Sequence, residues 1–328
     1  MRLKLGCCIT LHGGDTIKVG FIGPGKVGVS LGRYFTHKGI KLSGFYGRNI
    51  ENTKQAADIT KSEFYDNIQD IINESNIIFI TTPDDIISII DNELSKFDLK
   101  NKSFCHTSGS LKSNVLCNAK HSGALIYSIH PIFAFSSKAT NLDELEKIYL
   151  SIEGDIFDDS DIISLIKTLG NKHFIRKEED SSTYHLANVF VSNLTLSLLE
   201  IGVGYLRKLG LNEEDALNAL KPLVKGNVDS IYEKGFVNSL TGPVLRGDIS
   251  TVEKHISVLE ERDKDLYKIL SLNLLELVAL RSHGNMDGTE KTQENYTNSN
   301  YEKEKLIEDL FINSKKHEKI YKLLGGLD

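Results

Sequence analysis

The feature that most constrains this chain is the run Gly23-Pro24-Gly25-Lys26-Val27-Gly28, which directly follows the apolar stretch Lys18 to Ile22 and opens a helical pattern. A G-x-G-x-x-G in that setting asks something different of each glycine. Gly23 permits a tight turn, Gly25 lets the backbone approach a pyrophosphate, and Gly28 lets the helix pack close to the strand. The unpaired N–H groups and dipole of the helix N-terminus then favour a diphosphate. A dinucleotide site formed by Gly23, Pro24, Gly25, Lys26, Val27 and Gly28 is therefore expected, against the plainer alternative of a strand-to-helix turn with chance glycines.

From Lys18 to about Gly154, apolar runs alternate with helical patterns, the signature of βαβ units and a parallel sheet. Strands are expected at Lys18 to Ile22, Lys41 to Tyr46, Ile77 to Thr81, Ser103 to His106, Leu125 to His130 and Tyr149 to Glu153. Helices are expected at Lys26 to Lys38, Ile50 to Ala57, Asp84 to Leu94 and Ser110 to Asn118. After the Gly154 to Asp159 link, strand signals almost vanish. Single long helices are then expected over Ser182 to Leu209 and Thr251 to Leu280, with Asn212 capping a helix to Leu223. The fold class is α/β: a parallel-sheet domain over 17–154 and an all-α domain over 155–285. An N-terminal extension (1–16) and a polar linker with a terminal helix from Tyr301 to Leu324 (286–328) flank them. The Ser182 to Leu209 segment is apolar on nearly every face, which calls for a second subunit and a homodimer.

A formal charge of -6 and the lack of a dense basic block exclude the footprint of a nucleic-acid binder. Anionic ligands must be caught locally. Four cysteines, Cys7, Cys8, Cys105 and Cys117, show no metal-ligand or redox spacing, so no metal and a reducing, cytoplasmic location are expected. No apolar run reads as long enough to span a bilayer, and no signal peptide is read at the start.

The end of the second expected strand reads Tyr46-Gly47-Arg48-Asn49, with no carboxylate for a free ribose hydroxyl. Arg48, beside Asn49, suits a 2′-phosphate, which makes NADP the expected cofactor. The alternative leaves Arg48 at the surface and gives the ribose to Glu51. Thr82 and Pro83 follow the strand that starts at Ile77, where backbone would wall the cofactor, with Asp84 or Asp85 as helix cap. Thr107, Ser108 and Ser110 end the next strand and His130 the one after. Their polar groups suit a small acid substrate, although Ser108 equally suits a helix cap near Leu111.

The chain resembles bacterial proteins that join a Rossmann-like NADP-binding domain to a helical domain of unknown function. The resemblance covers about residues 17 to 285. It rests on Lys18 to Gly28, Ile80 to Asp85, His106 to Leu111, Ser128 to Phe135, Tyr184 to Asn193 and Leu240 to Asp248. Such proteins look related to pyrroline-5-carboxylate reductase, β-hydroxyacid dehydrogenases and prephenate dehydrogenase, and some are similar to an alternative ketopantoate reductase. The resemblance implies a helical domain like the C-terminal domain of 6-phosphogluconate dehydrogenase. Related β-hydroxyacid dehydrogenases place a lysine and an asparagine three residues apart over the nicotinamide. Here those positions are His185 and Asn188, so the expected acid is a histidine.

His185, Asn188 and Ser108 are thus the expected catalytic groups, with Thr107, Ser110, His130, Asn193 and Arg246 toward the substrate. Arg246 either clamps a carboxylate or pairs with Asp248, and His130 and His255 also fit structural roles. Three functions stay open. The first is NADPH-dependent reduction of a small 2-oxo acid, with ketopantoate the substrate that the resemblance implies. The second is reduction of a cyclic imine, and the third a cofactor-binding regulatory protein without turnover.

Overall fold

The computed structural model describes residues 17–158, 160–286 and 300–326. The expected extension, with Cys7 and Cys8, and most of the expected linker lie outside the described residues. The chain divides into two compact units, one up to Leu198 and one from Leu199 onward.

The first unit is built on a single sheet of β1 (Lys18–Ile22), β2 (Lys41–Tyr46), β3 (Glu63–Tyr65), β4 (Ile77–Ile80), β5 (Ser103–His106), β6 (Leu125–Pro131), β7 (Leu150–Gly154) and β8 (His173–Ile175). Their order is β3-β2-β1-β4-β5-β6-β7-β8. Every pairing is parallel except that of β6 with β7. The direction of winding reverses between β1 and β4, and the crevice at such a switch point is where doubly wound sheets take ligands. Helices α1 (Lys26–His37), α2 (Ile50–Thr60), α3 (Ile68–Glu74), α4 (Asp84–Leu94), α5 (Cys117–His121), α6 (Leu142–Leu145) and α7 (Asp161–Leu169) cover the sheet, and α8 (Ser181–Val191) follows β8.

Strands buried on both faces read as continuous apolar runs, and β4, Ile-Ile-Phe-Ile, is buried at all its positions. Alternate residues point to opposite faces. Phe21, Phe45, Phe79 and Tyr127 enter one core with α1 and α7, while Ile22, Ile78, Ile80 and Phe104 enter the other with α3 and α4.

Several expectations are corrected. β3 and α3 had no expected counterpart. The helix expected over Ser110 to Asn118 is a 3-10 turn, Ser113–Leu116, followed by the short α5. Beyond these corrections, the first compact unit continues past residue 154, the boundary expected between the two domains. There Ile162, Leu165, Ile166 and Leu169 of α7 complete the first core and β8 adds a strand to the sheet edge. Short strands at an edge carry too few residues for a periodic signal.

The expected single helix from Ser182 to Leu209 is two, α8 and α9 (Asn193–Lys208), because Ser192 leaves helical geometry at φ -112° and ψ -86°. By length and composition alone the segment Glu178–Lys208 would pass for a membrane span, contrary to expectation. The break at Ser192 and the polar Asn188 and Asn193 divide that segment.

The second unit is helical. It holds most of α9, then α10 (Glu213–Ser239), α11 (Pro243–Arg246), α12 (Ile249–Val258), α13 (Glu261–Met286), α14 (Asn300–Asn313) and α15 (Lys315–Leu323). Asn212 caps α10 as expected, its side chain accepting from Asp215 N, but the helix runs far beyond Leu223 and kinks at Gly235, whose φ is 74°. The helix expected over Thr251 to Leu280 is split into α12 and α13, where Leu259 turns extended. The core joins Leu275, Val278 and Ala279 of α13 to Leu310 of α14 and to Ile320 and Leu324 at the C-terminal end.

Candidate functional site

The glycine turn sits at the switch point, held from both sides. Gly23 N donates to Tyr46 O at the end of β2 (2.9 Å), and Thr81 Oγ1 donates to Gly23 O (2.7 Å). Gly23 has φ 113°, a conformation glycine adopts without strain. A Cβ on Gly28 would lie 2.4 Å from Gly23 O and 2.5 Å from Thr81 Oγ1, so α1 packs against the turn at a distance only glycine allows. Around Gly25 the nearest atom to such a Cβ is 3.8 Å away, and no side chain caps α1 there. The first N–H groups of α1 are thus left to a ligand, as a bound diphosphate requires. Thr82 Oγ1 is buried beside Gly23 without a partner. Open N–H groups, an orphaned hydroxyl and a backbone with no side chain in the way fit a dinucleotide.

Two further strand ends lie along the same carboxyl edge. Ser108 Oγ and Ser110 Oγ both donate to Asp84 Oδ2, at 2.8 and 2.6 Å, while Ser108 Oγ accepts from Leu111 N at 3.1 Å. Asp84 therefore ties the β5 loop to the start of α4 and is not the cap expected of Asp84 or Asp85; the N-cap position is Pro83.

At the end of β6, His130 Nδ1 is hydrogen-bonded to Tyr184 Oη at 2.5 Å, with the two rings edge-on. The backbone of Gly109 runs against the other side of the imidazole, where a Cβ would lie 2.9 Å from Nε2. Burial, followed by the charge of Arg176 and the neighbouring His185, pushes His130 down to about 4, so the ring is neutral at neutral pH. Arg176 stands 5.1 Å from the Tyr184 ring centroid. Its guanidinium donates to Ser151 (3.1 Å), Ser128 (2.8 Å) and Ser181, and lies 3.9 Å from Glu153. Glu153 in turn accepts from Ser113 N and Oγ at 2.7 and 2.6 Å.

Two family models match the sequence: a Rossmann-like domain over residues 13–131, and a domain of unknown function, DUF2520, over residues 148–274. The sequence thus carries a match to a Rossmann-like domain followed by a match to DUF2520. No curated protein matches it. Among solved structures, protein TM1727 from Thermotoga maritima is 29% identical with a TM-score of 0.62, covering 80% of this chain and 99% of that one. The pyrroline carboxylate reductase of Plasmodium falciparum, solved with NADP bound, is 18% identical with a TM-score of 0.55, covering 81% and 95%. A reductive aminase from Aspergillus terreus, in complex with NADPH, is 12% identical with a TM-score of 0.53, covering 84% and 95%. At these identities the last two establish a shared fold.

Within the Rossmann-like domain, Gly23 to Gly28, Thr82 and Pro83 gather at the switch point. Gly47 packs against Pro24, a Cβ there meeting Pro24 Cδ at 2.6 Å, which puts Arg48 beside the turn. Arg48 is exposed, and Asn49 caps α2 by accepting from Asn52 N. Thr107, Ser108, Ser110 and His130 follow along the edge. In the segment from the DUF2520 match, His185 is exposed and makes no hydrogen bond among the described residues, and Asn188 turns its amide back to Tyr184 O at 2.8 Å. Asn193 is exposed at the start of α9, and Arg246, in the second unit, is exposed at the end of α11. Asp248 caps α12 by accepting from Thr251 N and Oγ1. Sequence reasoning missed Tyr184, Arg176 and Glu153. The available signal was Tyr184 itself, one residue from the chosen histidine and so about 100° around the helix.

Proposed function

We propose that this chain is a cytoplasmic, NADP-dependent oxidoreductase that reduces the carbonyl of a small 2-oxo acid, with ketopantoate the named candidate. The observation that carries the reading is the uncapped start of α1 at Gly25, set at the switch point beside the exposed Arg48. Bound there, the reduced nicotinamide would supply the hydride. The chain's own residues would do the rest: N–H groups of α1 hold the diphosphate, Arg48 takes the 2′-phosphate, and Thr82 Oγ1 gains the partner it lacks. Thr107, Ser108 and Ser110 are proposed to orient the substrate acid. Ketopantoate itself enters through the family resemblance.

The test is calorimetry with NADPH and NADH on the full chain, followed by NADPH oxidation against a panel of oxo acids. Tighter binding of NADPH is expected. Arg48→Ser should weaken NADPH by roughly tenfold, about 1.4 kcal/mol, while leaving NADH nearly unchanged. Equal losses for both cofactors would place the phosphate contact elsewhere. A second reading, reduction of a cyclic imine, is favoured by the fold shared with pyrroline carboxylate reductase, and imines belong in the same panel.

We also propose a homodimer. Leu186 (52% exposed), Phe190 (58%), Val191 (77%) and Leu196 (67%) leave α8 and α9 with more bare apolar surface than a monomer ordinarily carries. Light scattering on the purified protein should give twice the chain mass. Phe190→Glu should shift it to the monomer, and a monomeric parent protein would overturn the proposal.

A further inference from the structure

Resting on the reductase reading above, we propose that Tyr184 is the proton donor of the reaction, with His130 and Arg176 as the residues that position it. The inference starts from where the hydroxyl lies. Tyr184 is half-buried on α8, and its Oη reaches His130 at the carboxyl end of β6, on the edge where the ligands of such sheets lie. The expected acid, His185, makes no such contact and faces outward.

The surroundings of Tyr184 are those of a phenol prepared to lose a proton briefly. Phe174 packs edge-on at 5.9 Å and Arg176 lies over the ring face, so the side chain has one orientation. Arg176 is fixed by Ser128, Ser151, Ser181 and Glu153, which keeps its charge in place over the ring. Burial raises the Tyr184 hydroxyl above its usual range, while Ser151, Arg176 and Asn188 pull it down. The group therefore stays protonated until a strong base forms beside it.

The charged and titratable groups around this site are His130 from β6, Arg176 after β8, His185 on the same helix, Glu153 of β7 and Asp180 beside Arg176, and Asp84 and His106 on the side of His130. Neutral His130 has one ring proton. With that proton on Nδ1, the imidazole donates to Tyr184 Oη and leaves the phenol's own hydrogen free for the substrate. Reduction of the carbonyl carbon puts an electron pair on the oxygen. The Tyr184 O–H bond then breaks as the substrate O–H bond forms, leaving a tyrosinate. His130 Nδ1–H and the Arg176 cation hold that anion until a proton taken up from bulk solvent, the one the overall reduction consumes, restores the phenol.

The experiment compares Tyr184→Phe with the parent protein in three readouts. Phe keeps the ring under Arg176 and against Phe174, so melting should be little changed, and NADPH affinity by calorimetry should stay within about twofold. Turnover should fall by about 10² to 10⁴, the span general acid catalysis covers. Nitrogen-15 spectra of histidine-labelled parent protein supply a readout independent of activity: the His130 proton should be found on Nδ1. Unchanged turnover in the variant overturns the proposal. A proton on Nε2 overturns it as well, because the phenol hydrogen is then committed to the imidazole. If the parent protein binds NADPH but reduces no oxo acid or imine, the underlying reading fails, and the failure is recognisable because it appears before any substitution.

Discussion

Gly28→Val is expected to reduce NADPH affinity by on the order of a hundredfold, about 2.7 kcal/mol, in calorimetry on the full chain. The added side chain begins with a Cβ 2.4 Å from Gly23 O and 2.5 Å from Thr81 Oγ1, neither of which is the end of a flexible side chain. Helix α1 must then move off the turn, and the N–H groups that would hold the diphosphate move with it. The same shift breaks the Thr81 to Gly23 hydrogen bond. Overpacking of this kind costs about 1–3 kcal/mol of stability, so the melting temperature should fall too. A variant that binds NADPH like the parent would mean that the phosphate site is not the glycine turn. Valine at Lys26, exposed in the same helix, serves as the control and should leave the melting temperature nearly unchanged.

Arg176→Met should destabilise the first unit by about 3–5 kcal/mol in urea unfolding, the usual result of removing one partner of a buried ion pair. Arg176 and Glu153 are only 6% and 4% exposed. Without the guanidinium, Ser128 and Ser151 lose the donor they share and, among the described residues, the Glu153 carboxylate keeps Ser113 as its hydrogen-bond donor. The double variant Arg176→Met with Glu153→Gln should recover part of the loss, because an uncharged amide is cheaper to bury than a lone carboxylate. A single variant as stable as the parent would show that the pair contributes nothing net to the fold.

These two sites differ in how far the sequence discloses them. The glycine turn is local: six consecutive residues and a flanking apolar strand suffice, and the bounds of β1, β2 and β5 follow from buried runs in the same way. The Arg176 network is not local. It joins residues 25 and 48 positions apart through hydroxyls of serine, a residue with no distinctive pattern. Likewise β3 and β8 are three residues each, below the length at which alternation can be read. On α8 the spacing of His185 and Asn188 places the two on one helix face, but which face meets β6 depends on how the chain leaves β8. Tyr184 occupies that position, and only the folded chain shows it.

The C-terminal helices α14 and α15 lie beyond the stretch matched by the DUF2520 model, yet Leu310 and Ile320 are among the most enclosed side chains of the second unit. His317 Nε2 also bonds Leu245 O, between Val244 and Arg246. During synthesis the sheet unit can therefore fold as soon as it has emerged, whereas the helical unit stays open until residues near 320 clear the ribosome. Its late closure makes this half the one that most needs shelter from aggregation at birth.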